Sequence, residues 1–136
     1  MTRLLLDTHI FVWAKTFDRP LKPAVVASIV DPANEVFVSL ATAWELGIKA
    51  ATGKLTGDAS KLVGNQQQFE SILMDSRFNL LPIQTSHIFA VRNLPLHHRD
   101  PFDRLIVAQA MTEQMTLITV DARFKDYAGL DIMIGA

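Results

Sequence analysis

Four acids in this 136-residue chain fall where an oxygen-ligand metal centre would need them: Asp7, Glu45, Asp103 and Asp121. Asp7 directly follows the apolar run Leu4-Leu5-Leu6, and Asp121 directly follows Leu117-Ile118-Thr119-Val120, so each is expected at the carboxyl end of a strand. Glu45 is expected about one turn into the helix after the second strand, and Asp103 in the first turn of a helix that opens at Pro101. Each acid has an ordinary structural explanation when taken singly. Asp7 and Asp121 suit N-caps, Thr42 and Glu45 fit a T-x-x-E capping box, and Asp100-Pro101 suits a cap and first helical position, leaving Asp103 as a first-turn acid. Brought to one place, however, four carboxylates repel and are costly to ionise unless a cation neutralises them. With hard oxygen ligands and no cysteine, that cation is expected to be Mg²⁺ or Mn²⁺ rather than zinc. Such an ion acidifies water for in-line attack on a phosphate ester.

The elements that must position these acids are legible as short apolar runs. Leu4–Leu6, Val36–Val38, Leu80–Ile83, Leu117–Val120 and Ile132–Ile134 lack polar alternation, as strands of a parallel sheet covered on both faces do. Helical spacing separates them over His9–Lys15, Pro23–Val30, Thr42–Ala51, Ser60–Arg77, Thr85–Asn93 and Pro101–Gln114. Asp31-Pro32, Gly53, Gly57-Asp58, Leu94-Pro95 and Gly129 punctuate the pattern where turns belong. The alternation predicts an α/β fold with three layers, α/β/α, around a mainly parallel central sheet. In such sheets ligands bind outside the carboxyl ends of the strands, where helices also begin. Four acids distant in sequence thus share one predicted rim, and their capping positions coincide with their chemical ones.

Composition sets the outer bounds. The length suits one domain over residues 1–136, and 49% hydrophobic residues with a mean hydropathy of +0.21 mark a chain with a large core. No cysteine excludes disulfides and thiolate zinc sites and agrees with a reducing cytoplasm. No apolar run approaches about eighteen residues, and Arg3 and Asp7 interrupt the start, so neither a membrane span nor a signal peptide is expected. The net charge of −1 lacks a general basic excess, so any nucleic-acid contact must be local.

Four blocks of residues resemble PIN-domain ribonuclease toxins of type II toxin–antitoxin systems, the VapC type. They are Leu4-Leu5-Leu6-Asp7-Thr8-His9; Ala43-Trp44-Glu45-Leu46-Gly47-Ile48-Lys49 with Gly53-Lys54-Leu55; Arg99-Asp100-Pro101-Phe102-Asp103-Arg104-Leu105 running into Ala108-Gln109-Ala110; and Thr119-Val120-Asp121 with Phe124. They occur in the family's order across nearly the whole chain. The resemblance implies a PIN-like fold and a Mg²⁺- or Mn²⁺-dependent endoribonuclease leaving 5′-phosphate and 3′-hydroxyl ends. It also implies inhibition by a cognate VapB-like antitoxin and a homodimer. Position by position, Asp7, Glu45, Asp103 and Asp121 fall on the family's acidic quartet, which assigns Asp103 as ligand and Asp100 as cap. Gly47 departs from good helix-forming sequence, at a cost of about 1 kcal/mol against alanine.

Secondary candidates surround the quartet. Thr8 and Thr119 are placed to orient a carboxylate, against simple side-chain to backbone bonding. Lys49, four residues after Glu45, suits either a routine helical ion pair or a cation that positions Glu45 or a phosphate. His97, His98, Arg99 and Arg104, with Lys54, form the best basic cluster for RNA, against a solvated loop. His9, Trp13 and Trp44 are assigned to packing. Two other functions compete: a PIN-fold interaction module without catalysis, and a DNA-directed nuclease. A dehalogenase-type phosphatase would need an acid at position 9, which is His, and a receiver domain would need an acceptor acid where Pro82-Ile83-Gln84 stands.

Overall fold

The computed structural model describes residues 2–96 and 99–135. Its sheet is built from β1 (Arg3–Leu6), β2 (Glu35–Ser39), β3 (Phe78–Leu81), β4 (Thr116–Thr119) and β5 (Ile132–Ile134), all parallel, in the order β3-β2-β1-β4-β5. The helices are α1 (Thr8–Thr16), α2 (Pro23–Val30), α3 (Leu40–Ala51), α4 (Gly57–Lys61), α5 (Gln66–Ser76), α6 (Thr85–Arg92) and α7 (Pro101–Glu113). A short 3₁₀ turn covers Ala122–Asp126. Side chains alternate across β1 and so divide the interior in two. Leu4 and Leu6 join Ile10, Phe11, Leu46, Phe69 and Leu73 on one face, whereas Leu5 joins Leu105, Ile106, Leu117, Phe124 and Tyr127 on the other. This is the expected three-layer α/β/α architecture.

Strand order runs outward from β1 in both directions, so the chain reverses its winding between β1 and β4. The crevice at that switch point opens beyond the carboxyl ends of the two strands. β1 ends at Leu6 and β4 at Thr119, and the Asp7 amide donates to the Ile118 carbonyl at 3.0 Å, holding the two ends side by side.

Local chemistry moves several boundaries away from the sequence expectations. The third strand spans 78–81 rather than 80–83, because Pro82 has no N–H for the ladder while Phe78 and Leu81 are the buried members of this edge strand. The single helix expected over 60–77 is two: α4 ends before Gly64, and the Asn65 side chain accepts from Gln68 N–H to start α5 anew. α3 begins at Leu40 under a Ser39 cap, not at Thr42, so Thr42 and Glu45 do not form a capping box. Trp44 is 58% exposed and lies edge-on to Phe102, outside the core to which it was assigned; Trp13 packs against the core, half-buried. No helix among the described residues is long and apolar enough to cross a membrane.

Candidate active site

Asp7 is both a cap and a buried acid. Its Oδ1 accepts from Ile10 N–H at 2.9 Å, capping α1, while its Oδ2 accepts from the Thr119 hydroxyl at 2.5 Å. With only 4% of its surface exposed, burial raises its pKa; the Thr119 and Ile10 bonds and the nearby His9 charge work in the opposite direction. Thr119 thereby links the end of β4 to the acid after β1, and its Oγ1 also accepts from Asp121 N–H at 3.1 Å.

Glu45 enters from α3 and is equally buried. The Thr8 hydroxyl donates to Oε1 and the Lys49 ammonium to Oε2, both at 2.8 Å, and Thr8 also lies 3.2 Å from the Thr42 hydroxyl. Lys49, the expected partner of Glu45, and Thr8, expected beside Asp7, therefore hold the Glu45 carboxylate from both sides. The Val120 N–H also bonds the Asp7 carboxylate, and both Asp7 and Glu45 keep acceptor capacity for a further ligand.

Asp103 and Asp121 are less enclosed. The Asp100 side chain accepts from Phe102 and Asp103 N–H and caps α7, with Pro101 at the first helical position, and Asp103 follows in the first turn. Burial and the like charges of Asp100, Glu45, Asp7 and Asp121 push the Asp103 carboxyl up to about 7. Asp100, Glu45, Asp7 and Asp121 thus lie near enough for their charges to act on Asp103. Asp121 caps the 3₁₀ turn through Arg123 N–H, and the Arg123 guanidinium grips its carboxylate with bonds of 3.0, 3.1 and 2.6 Å. Arg123 was not singled out from sequence. An Arg two residues after an acid was the available signal, but nothing local distinguishes it from a solvated charge.

Other candidates sort by their partners. Arg104 donates to the carbonyls of Val91, Leu94 and Pro95, closing the end of α6, so these N–H groups serve the fold. His97 and His98 lie outside the described residues. Behind the site, Ser39 donates to Gln109 Oε1 at 2.5 Å, and Gln109 Nε2 reaches the Pro82 carbonyl and stands 3.3 Å from the buried His87. His87 accepts Gln84 N–H at Nδ1, so its proton is on Nε2, 3.2 Å from Glu113. This polar thread ties the start of α3 to α6 and α7 and was not legible in the sequence.

The donor set suits a hard divalent cation: carboxylate oxygens only, partly dehydrated, with mutual repulsion that such a charge would relieve. Among the described residues no three acids or histidines are gathered tightly enough to hold an ion by themselves.

The sequence matches the PIN domain model over residues 4–130. The chain belongs to the PIN domain family. PIN domains are in general nucleases that hydrolyse phosphodiester bonds, typically with divalent metals. No curated protein matches the sequence at a significant level. Solved structures share the PIN fold at low identity. VapBC2 from Rickettsia felis, bound to a promoter DNA fragment, is 18% identical with a TM-score of 0.74, the match covering 99% of this chain and 100% of that one. DNA-bound VapBC from Salmonella typhimurium is 16% identical with a TM-score of 0.67, covering 98% of each. VapBC-5 from Mycobacterium tuberculosis, a member of the VapBC family of toxin–antitoxin systems, is 21% identical with a TM-score of 0.60, covering 98% of each.

Proposed function

We propose that this chain is a VapC-type toxin: a single PIN domain over residues 1–136 that acts in the cytoplasm as a Mg²⁺- or Mn²⁺-dependent endoribonuclease. The observations that carry this reading are the PIN domain match over residues 4–130 and, at the switch point of its parallel sheet, the buried acids Asp7 and Glu45, whose charges act on Asp103 together with those of Asp100 and Asp121. Asp7, Glu45, Asp103 and Asp121 would hold the metal. When bound, the ion supplies positive charge at the scissile phosphate and a water acidified for in-line attack.

The remaining work falls to the chain's own groups. Thr119 and Ile10 N–H fix the rotamer of Asp7, and Thr8 and Lys49 fix Glu45, so two carboxylates meet the ion with little loss of side-chain freedom. Lys49 also sets a positive charge beside the rim. Arg123 counterbalances Asp121 and, being 64% exposed in its side chain, has room to turn toward an RNA phosphate.

Similarity to VapBC complexes supports a VapB-like antitoxin as partner. A cleft of about 720 Å³, away from the four acids, offers it an apolar surface that includes the exposed Phe17 and Val30. Leu40, Trp44 and Ile48 recur at four-residue spacing on the outer side of α3 and leave 41%, 58% and 43% of their surface exposed, which supports a homodimer through this helix. The test is incubation of the purified, partner-free chain with single-stranded RNA and with DNA of the same sequence. RNA cleavage in Mn²⁺, stopped by EDTA and leaving 5′-phosphate ends, is expected. Cleavage of DNA alone, or of neither, would overturn the assignment.

A further inference from the structure

A second cavity, about 400 Å³, opens beside Glu45. Thr8 and Lys49, the two residues that bond the Glu45 carboxylate, form part of its wall, so the cavity adjoins the four-acid site. Its other walls carry His9, Trp13 and Lys54, with Asp18 the acid among them. Its size lies within the usual range for small-ligand pockets, about 300–1,000 Å³.

Two features give it a chemistry. His9 and Trp13 are stacked, with ring centroids 5.4 Å apart and planes inclined by 28°, and the Arg19 guanidinium lies 5.0 Å from the Trp13 ring centre. His9 and Trp13 therefore form a stacked pair whose outer member, the exposed His9 imidazole, offers a platform for one more planar ring. Lys54 is exposed and, among the described residues, has no carboxylate partner. An aromatic platform with a cation beside it is the combination that receives an unstacked base and its backbone phosphate.

We propose that this cavity is a nucleotide subsite, which seats the base of a single-stranded RNA residue next to the scissile bond against His9 and its phosphate against Lys54. The proposal rests on the ribonuclease reading and adds how the substrate is held. A subsite of this kind selects for unpaired RNA, because a paired base cannot leave its stack to reach His9.

The two tryptophans allow a direct test. In a Trp44→Phe background Trp13 is the sole indole, and its emission reports on the stack while a short oligouridylate is titrated with Ca²⁺ in place of Mn²⁺. Saturable quenching is expected. His9→Ala should weaken binding by at least about fivefold, as loss of a stacking partner does. Lys54→Gln should lower the salt dependence by about 0.7 in log–log slope, while Lys54→Arg restores it. In Mn²⁺ both weakening variants should raise KM with little change in kcat. Wild-type binding strength and KM in His9→Ala and Lys54→Gln, with cleavage intact, would overturn the subsite and leave the nuclease reading standing. Absence of cleavage by the wild-type protein in Mn²⁺ would instead remove both.

Discussion

The four acids form two unlike pairs. Asp7 and Glu45 are 4% exposed, and both oxygens of each carboxylate are already held by the fold, through Ile10 N–H, Thr119, Thr8 and Lys49. Asp103 and Asp121 sit nearer solvent at helix starts, one burdened by its neighbours' charge and the other gripped by Arg123. The inner pair is thus part of the architecture, and the outer pair carries the adjustable charge. Substitutions on the inner pair should damage fold and activity together, whereas substitutions on the outer pair should separate them.

The largest effect expected is on catalysis by Asp103→Asn. It should lower RNA cleavage by at least about 1,000-fold, since a lost charge at the metal is felt directly in the barrier, while circular dichroism stays native. Thr8→Val comes next. Glu45 keeps Lys49 but loses its second anchor, and activity should fall by about 10- to 100-fold in steady-state assays. For stability the pairs should diverge. Asp7→Ala orphans Ile10 N–H and the buried Thr119 hydroxyl and should cost about 2–3 kcal/mol in urea unfolding, whereas Asp121→Ala removes an exposed cap and ion pair and should cost about 1 kcal/mol.

The same contrast has a pH signature. The folded-state pKa of Asp103, about 7, lies above its ordinary 3.8, so the folded protein keeps a proton that the unfolded chain releases. Metal-free stability should therefore fall as pH rises from about 4 to about 7 and level off above that. The raised pKa of Asp7 adds to the slope with the same sign. Asp103→Asn should flatten this fall and stabilise the metal-free protein at pH 7.5, by about 1–3 kcal/mol once partial solvent screening is allowed for. Thermal melts of the two proteins across that range provide the check. The smallest effect belongs to Gly47 on the helix that carries Glu45. A Cβ there would meet nothing within 4 Å, so Gly47→Ala should add about 0.5–1 kcal/mol without altering cleavage.

The central strands were legible because burial on both faces removes polar alternation: β1, β2 and β4 lie within a residue or so of their apolar runs. The edge strand β3 was misplaced because only Phe78 and Leu81 are buried, so the exposed Leu80 contributed a misleading apolar signal. Asp7 and Asp121 were correctly placed after strands, since a strand end is a local feature. The roles of Thr42, Arg104 and Gln109 depend on partners far away in sequence or fixed only by folding. T-x-x-E looked like a cap because the motif is local, but the Ser39 hydroxyl took the cap, and Thr42 came to rest against Thr8. Trp44 looked like core by residue type, yet its position on α3 turns it outward.

The most direct test of the account is a Mn²⁺ titration of RNA cleavage by the purified wild-type chain beside Asp103→Asn. Activity that rises with Mn²⁺ to saturation, vanishes in EDTA, and is lost in the variant while its fold persists is the predicted result. Cleavage that proceeds in EDTA, or that survives undiminished in Asp103→Asn, would contradict a carboxylate-held metal as the source of the chemistry.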